Sequence, residues 1–182
     1  MNNLEIVYKK VNDLAKKEIS FMNNARIKKY GRDNIVDFKK EDKGAIFIIL
    51  KEDKKIKAFG MLKPVKINYL GKTYTILGMG RGMAINESKG YGRMLSAARI
   101  LYIKRVEKST VAFTSAKNKK FFEKSGFRFE KNFIKRFQYR DPKTGEIKID
   151  LDGHGVYING KDNLFKKMLK TKSIAYTNAD FW

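Results

Sequence analysis

Apolar positions first alternate along this chain and then recur at helical spacing. Over residues 4–11, Leu4, Ile6 and Tyr8 share one face, which predicts a strand. Asn12 then stands where a capping side chain opens a helix. Leu14, Ala15, Ile19 and Met22 give residues 13–27 an inward face, and Tyr30-Gly31-Arg32 ends that helix. Ala45-Ile46-Phe47-Ile48-Ile49-Leu50 is a continuous apolar run, as expected of a strand covered on both faces. Asp53-Lys54-Lys55 turns the chain into a second strand at 56–65. Leu70-Gly71-Lys72 turns it again into a long strand at 73–85. Gly78, Gly80 and Gly82 interrupt that strand, and such glycines mark a bulge or the close approach of another backbone or a ligand.

Helical spacing returns at 93–107, where Met94, Ala97, Ala98 and Leu101 share a face. A short strand at 110–114 follows, then a helix at 116–124 stopped by Ser125-Gly126. Residues 127–139 alternate as one strand. Asp141-Pro142-Lys143-Thr144-Gly145 makes a turn, and 146–151 and 154–159 read as strands. Asp162 or Asn163 caps a last short helix to about residue 171, carrying Leu164, Phe165, Met168 and Leu169. Phe181 and Trp182 read as docked onto the body or as an oligomer contact. This order is that of a mixed α/β (α+β) chain, and its 182 residues suit a single domain.

Composition narrows the chemistry. With zero cysteines there is no disulfide framework, no thiolate nucleophile and no cysteine metal site. A single histidine removes most histidine zinc sites, so no metal is expected. No run approaches the roughly 18 apolar residues that span a bilayer, and the expected location is cytoplasmic with no membrane contact. The charge is the loudest fact: 41 Lys and Arg against 19 Asp and Glu, a formal +22. Such an excess suits a nucleic acid or another polyanion. Only nine of the bases are arginine, however, and the lysines run from Lys9 to Lys172 without one cluster, as a solvated surface or an AT-rich coding sequence also gives.

The chemistry concentrates after the long strand. Ile85 ends it, Lys89-Gly90-Tyr91-Gly92 forms a loop, and Arg93 opens a helix. Strand, glycine loop and helix in succession make a phosphate-binding arrangement, because helix-start N–H groups meet an anion along a favourable dipole. No Gly-Lys-Ser/Thr follows, and position 95 is Leu95 rather than glycine, which disfavours the Walker and Rossmann patterns. A second stretch, Phe122-Glu123-Lys124-Ser125-Gly126-Phe127, closes the later helix.

These stretches resemble the two motifs of the GNAT acyltransferases. Glu87-Ser88-Lys89-Gly90-Tyr91-Gly92 is similar to that family's Arg/Gln-x-x-Gly-x-Gly/Ala, and Phe122 to Phe127 to its Tyr-Glu-Lys-x-Gly-Phe. The resemblance covers residues 4–139. It leaves 140–182 as a divergent extension that covers an acceptor site or makes an oligomer contact in a monomer or homodimer. The resemblance implies a GNAT fold, a splayed central mixed β-sheet flanked by helices, with acetyl-CoA between the fourth and fifth strands. Backbone of Met83, Ala84 and Ile85 would then meet the pantetheine arm, and amides of Lys89, Gly90, Tyr91, Gly92 and Arg93 the pyrophosphate. Ser115 and Phe122 would touch the coenzyme. The implied reaction is direct attack of a primary amine on the acetyl thioester.

Two positions depart from the motif. Glu87 stands at the Arg/Gln position, and Phe122 replaces the tyrosine that often protonates the leaving thiolate. The general acid and base are therefore unassigned, with Ser115, His154 and Arg81 as candidates. His154 is the lone imidazole, able to act as a base near neutral pH or to serve structurally. Arg81 either binds an acidic substrate group or faces solvent, and Tyr91 reads as a packing residue. The amine acceptor is open and includes a nucleic-acid-linked amine. The competing class is a non-catalytic basic nucleic-acid-binding module on a GNAT-like scaffold.

Overall fold

The computed structural model describes residues 3–86, 89–141, 143–149, 153–177 and 179. In chain order the strands are β1 (Leu4–Lys10), β2 (Ile46–Glu52), β3 (Lys55–Tyr69), β4 (Lys72–Ala84), β5 (Thr110–Thr114), β6 (Arg128–Glu130), β7 (Phe137–Arg140), β8 (Ile147–Lys148), β9 (His154–Ile158) and β10 (Ala175–Thr177). The helices are α1 (Lys16–Tyr30), α2 (Phe38–Glu41), α3 (Tyr91–Val106), α4 (Lys119–Lys124) and α5 (Leu164–Leu169). The chain divides into two compact units. Unit 1 holds residues 1–63 and 80–98, and unit 2 holds 64–79 and 99–182.

Unit 1 is built on an antiparallel ladder. β1 pairs with β2 from Leu4↔Glu52 to Lys10↔Ile46, and β2 pairs with β3 with a bulge between Leu50 and Lys51. Phe47, Ile48, Ile49 and Leu50 are all buried. Successive strand residues point to opposite faces, so both faces of β2 are covered, as its unbroken apolar run predicts. Phe38 of α2 meets Phe47 edge-on at 5.3 Å. The expected apolar face of β1 is the exception: Leu4, Ile6 and Tyr8 stay about two-fifths exposed. Tyr8 donates its hydroxyl hydrogen to the carbonyl of Ala98 at 3.2 Å.

The first helix starts later than its sequence indicates. Residues Val11–Asp13 form a 3-10 turn, and α1 begins at Lys16 after Ala15. Asn12 makes no cap. Instead the Glu18 carboxylate reaches back to accept from the Ala15 N–H at 3.1 Å. Glu18 is only 4% exposed and also takes the ammonium groups of Lys9 and Lys51 at 2.9 and 3.0 Å. Burial alone would raise its pKa, but the hydrogen bonds from Lys9, Ala15 and Lys51 outweigh that and hold it at about 2.

In unit 2 the strands run in the order β6-β9-β5-β4-β3-β10-β7-β8. β4 and β5 pair in parallel at Leu77↔Thr110 and Gly78↔Val111, and β9 pairs antiparallel with both β5 and β6. β10 enters antiparallel to β3 and parallel to β7, so the segment near residue 175, for which the sequence pattern predicts no strand, lies within the sheet. The core centres on Phe133, whose ring lies 5.2 Å from Phe137, 5.6 Å from Tyr157 and 5.8 Å from Phe165. A Cβ at Gly155 would collide with the Phe133 ring, which accounts for glycine there.

The single strand expected at 127–139 is broken. Asn132 adopts φ 55°, and Phe133–Arg136 form a 3-10 turn between β6 and β7. Phe133 and Phe137, four apart, both enter the core, which strand alternation would also allow but the turn achieves at closer range. At the last helix, Asp162 provides the cap: its carboxylate accepts the Leu164 N–H at 3.1 Å and the Ser109 hydroxyl. Phe181 and Trp182 lie outside the described residues.

The lowered Glu18 pKa sets a pH dependence with a definite sign. A depressed carboxylate contributes stability that is present above pH 4.5 and lost as pH falls toward 2. Glu18→Gln should cost about 2 kcal/mol at neutral pH, discounted because both lysines keep some solvent. It should also flatten the pH dependence of the urea midpoint between those two values. An unchanged slope in that window would show that other carboxylates carry it.

Candidate functional site

The end of β4 and the start of α3 lie in unit 1 and hold most of the positions singled out in the sequence. Met83 is buried, Ala84 half-buried, and Ile85 is 36% exposed, with its N–H donated to the Lys57 carbonyl at 2.8 Å. With Asn86 these three residues form one wall of a hollow of about 530 Å³, and Phe21, Asn24, Ala25, Lys28 and Lys29 of α1 form the other. Glu87 and Ser88 lie outside the described residues.

The loop that follows is shaped by one glycine. Gly90 adopts φ +77°, and its carbonyl accepts the N–H groups of Arg93 and Met94 at 3.0 and 3.2 Å. A Cβ there would be sterically free but conformationally strained, so it is the left-handed backbone that requires glycine. α3 then starts at Tyr91. The amides of Gly90, Tyr91 and Gly92 have no acceptor among the described residues. These are the orphan donors of a 16-residue helix. Lys89 and Arg93 are exposed beside them. Amides with no acceptor among the described residues, a helix dipole and two cations at one point are features that suit an anion.

Tyr91 explains how the loop is anchored. It is buried, and its hydroxyl donates to Glu52 at 2.9 Å, while the Lys57 ammonium sits 3.3 Å from the same carboxylate. That hydrogen bond to Glu52 is the main reason the Tyr91 pKa is raised, so the phenol stays protonated at neutral pH. The packing role expected for Tyr91 is thus joined by a polar tether across to β2. Glu52, Lys57 and Phe21 were not singled out in the sequence. Phe21 and Lys28 sit at i and i+7 on α1, flanking Ala25, and that stripe was the available signal.

Arg81 takes neither of the two expected positions alone. It bulges from β4 at φ +52°, and its Nε donates to Asp42 Oδ2 at 3.0 Å while Nη2 reaches Glu41 at 3.1 Å. Asp42 is 1% exposed. A substrate carboxylate at Arg81 would have to compete with both.

The remaining candidates belong to unit 2. Ser115 is exposed ahead of the 3-10 turn Ala116–Asn118, and its side chain makes no cap hydrogen bond. Phe122 is half-buried, its ring edge-on to Phe121 at 5.1 Å and Phe127 at 5.6 Å. Gly126 at φ +92° ends α4 there, and the Phe127 N–H returns to the Phe122 carbonyl at 3.0 Å. His154 is half-buried, and its Nδ1 accepts the backbone N–H of Asn132 at 3.0 Å. The ring thus secures the αL turn at Asn132. No group of three or more metal-ligating side chains occurs among the described residues.

Comparison with solved structures identifies this architecture as the GNAT fold. An acyl-CoA N-acyltransferase from Pseudomonas aeruginosa superposes with a TM-score of 0.56 at 14% identity, over 84% of this chain and 97% of that one. Escherichia coli ElaA gives 0.56 at 12% identity, over 85% and 99%. Campylobacter jejuni N-acetyltransferase PseH, in complex with acetyl coenzyme A, gives 0.52 at 16% identity, over 85% and 99%. No family model matches the sequence, and neither does any curated protein. The fold is therefore the splayed mixed sheet that the two sequence motifs imply.

The Arg81 contacts generate a stability prediction. Arg81→Met removes the cation opposite a buried carboxylate and should destabilise the protein by about 3 kcal/mol in urea unfolding. Adding Asp42→Leu should recover most of that loss. If the single variant instead keeps full stability and only raises the KM of an acceptor, Arg81 is a substrate ligand.

Proposed function

From the GNAT fold we propose that this chain is a cytoplasmic acetyl-CoA-dependent N-acetyltransferase acting on a primary amine, and that the amine is linked to a nucleic acid. The observation that carries the coenzyme assignment is the start of α3. Three consecutive amides at Gly90, Tyr91 and Gly92 lack acceptors among the described residues, and Lys89 and Arg93 stand beside them. The diphosphate of acetyl-CoA has the charge and the oxygen acceptors this arrangement lacks. Met83, Ala84 and Ile85 lead directly into it and are proposed to border the pantetheine arm. Ser115 and Phe122 keep, as part of the proposal, the coenzyme contacts that the motif resemblance implies.

In this reading the amine nitrogen bonds to the acetyl carbonyl carbon and the carbon–sulfur bond breaks. The nitrogen loses one proton overall, and the coenzyme leaves as the thiol. The protein holds the thioester near the nitrogen and excludes competing water, which is where most of the rate gain in such a transfer arises. Phe122 has no proton to give, so in this proposal the thiolate takes its proton from water. Phe122 and the +22 charge also support a second reading, a non-catalytic module that binds nucleic acid.

Three measurements separate the readings. Native mass spectrometry of the purified protein should detect co-bound CoA. Saturating acetyl-CoA, at a hundredfold over Kd, should raise stability by about 2.7 kcal/mol. Gly90→Val, which forces a β-branched residue into φ +77°, should abolish most of that increment. Thiol release from acetyl-CoA should exceed background with at least one amine. Protein that gains no stability from acetyl-CoA and releases no thiol with any amine is not an acetyltransferase.

A further inference from the structure

The hollow beside β4 continues into a second one of about 630 Å³, and the two share Phe21, Ile85 and Asn86. Their basic lining is lopsided. Lys28 and Lys29 border the first; Lys17, Lys51, Lys54, Lys55 and Lys57 border the second, against the carboxylates Glu5 and Glu18. Glu18 is already neutralised by Lys9 and Lys51, and Lys57 is held by Glu52. Lys29 lies over the Tyr30 ring at 5.8 Å. Lys17, Lys28, Lys54 and Lys55 form no ion pair among the described residues, and all four are exposed. Even with Glu5 offsetting one of them, the four leave a concave surface with a net positive charge, which focuses its field toward an anion in solution.

The spacing of these lysines decides what kind of anion fits. Lys17 and Lys28 are eleven residues apart on α1. At about 100° and 1.5 Å per residue they return to nearly the same side of the helix, some 16 Å apart along it. Phe21, 38% exposed, stands between them on the same side. Lys54 and Lys55 sit at the β2–β3 turn, where Asp53 and Lys54 have φ 49° and 63°. One phosphate cannot reach cations so far apart, but a chain of phosphates can. An exposed aromatic ring between cations adds a stacking platform of the kind that single strands use.

We propose that this trough binds single-stranded nucleic acid, with the four lysines on backbone phosphates and Phe21 against a base, and so delivers a nucleic-acid-linked amine to the acetyl end of the coenzyme. The presentation of the amine rests on the acetyl-transfer reading; the strand binding does not. In the strand-bound state Phe21, otherwise more than one-third exposed, gains a cover of base.

The test uses the full chain saturated with CoA and a fluorescein-labelled oligothymidylate, followed by anisotropy across a salt series. Four phosphate contacts give log K against log salt a slope near −2.8, at about 0.7 per contact on a single strand. Lys54→Asn with Lys55→Gln should make the slope shallower by about 1.4 and weaken binding about 25-fold at 0.1 M salt. Asparagine at position 54 keeps the positive-φ turn. Phe21→Ala should weaken binding by at least about fivefold and leave the slope unchanged, because stacking releases no counterions. Lys170→Gln with Lys172→Gln should change neither.

The proposal is overturned if trough variants alter nothing while the Lys170 and Lys172 pair flattens the slope. It is equally overturned if CoA displaces the oligonucleotide and the trough variants weaken CoA, since the lysines would then serve the coenzyme. If the oligonucleotide behaves as expected but the protein binds no CoA, the trough stands and the acetyl-transfer reading falls.

Discussion

A helix cannot satisfy the N–H groups of its own first turn, and the first turn of α3 leaves that obligation open at a glycine-shaped corner. Gly90 turns the chain at φ +77°, a conformation that costs other residues about 1 kcal/mol or more, and Tyr91 then enters the helix at once. The chain spends the usual capping position on a bare backbone. Nothing among the described residues takes the amides of Gly90, Tyr91 and Gly92, and the proposed coenzyme site rests on them. The surrounding contacts hold this corner in place. Tyr91 is tied to Glu52 and Lys57, and Ile85 to the carbonyl of Lys57, so the residues bracketing the loop are fixed to β2 and β3.

Buried charge is handled in the same economical way through unit 1. Glu18 and Asp42 are both nearly inaccessible, and each is matched by cations that reach in from partly exposed positions: Lys9 and Lys51 for one, Arg81 for the other. Removing one partner of such a pair costs more than the pair contributes, because the remaining charge stays desolvated. These pairs account for several of the basic residues as structural. Among the lysines lining the two hollows, those at 17, 28, 54 and 55 have no acidic partner among the described residues and are exposed.

Much of the candidate site was legible because its signals are local. The glycine loop needs only Gly90 and the helix that follows, and both are visible as residue types at a fixed spacing. The twin apolar faces of β2 were likewise readable from four consecutive large residues. Other features were hidden because their cause is distant in sequence. The cap of α1 comes from Glu18 inside the helix, whose ion pairs with Lys9 and Lys51 decide the starting point, so Asn12 misled. The expected strand at 127–139 breaks at Asn132, where His154 accepts the backbone N–H from 22 residues away. Two alternating apolar patterns, one strand and a strand–turn–strand, look alike until a partner such as β9 is present.

By itself, the sequence determined the order of elements from β2 to α4 apart from the short turns, the glycine corner before α3, the Gly126-Phe127 ending of α4 and the lack of a cysteine nucleophile. Each of these depends on residue type and near-neighbour spacing, which the chain carries wherever it goes. The tertiary structure alone decided that Arg81 is held by Asp42, that His154 serves a turn, and that β10 fills the sheet between β3 and β7. It also decided which lysines are spoken for. Those outcomes depend on groups tens of residues apart meeting in space, and a charge or an imidazole has no fixed meaning until its neighbours are known.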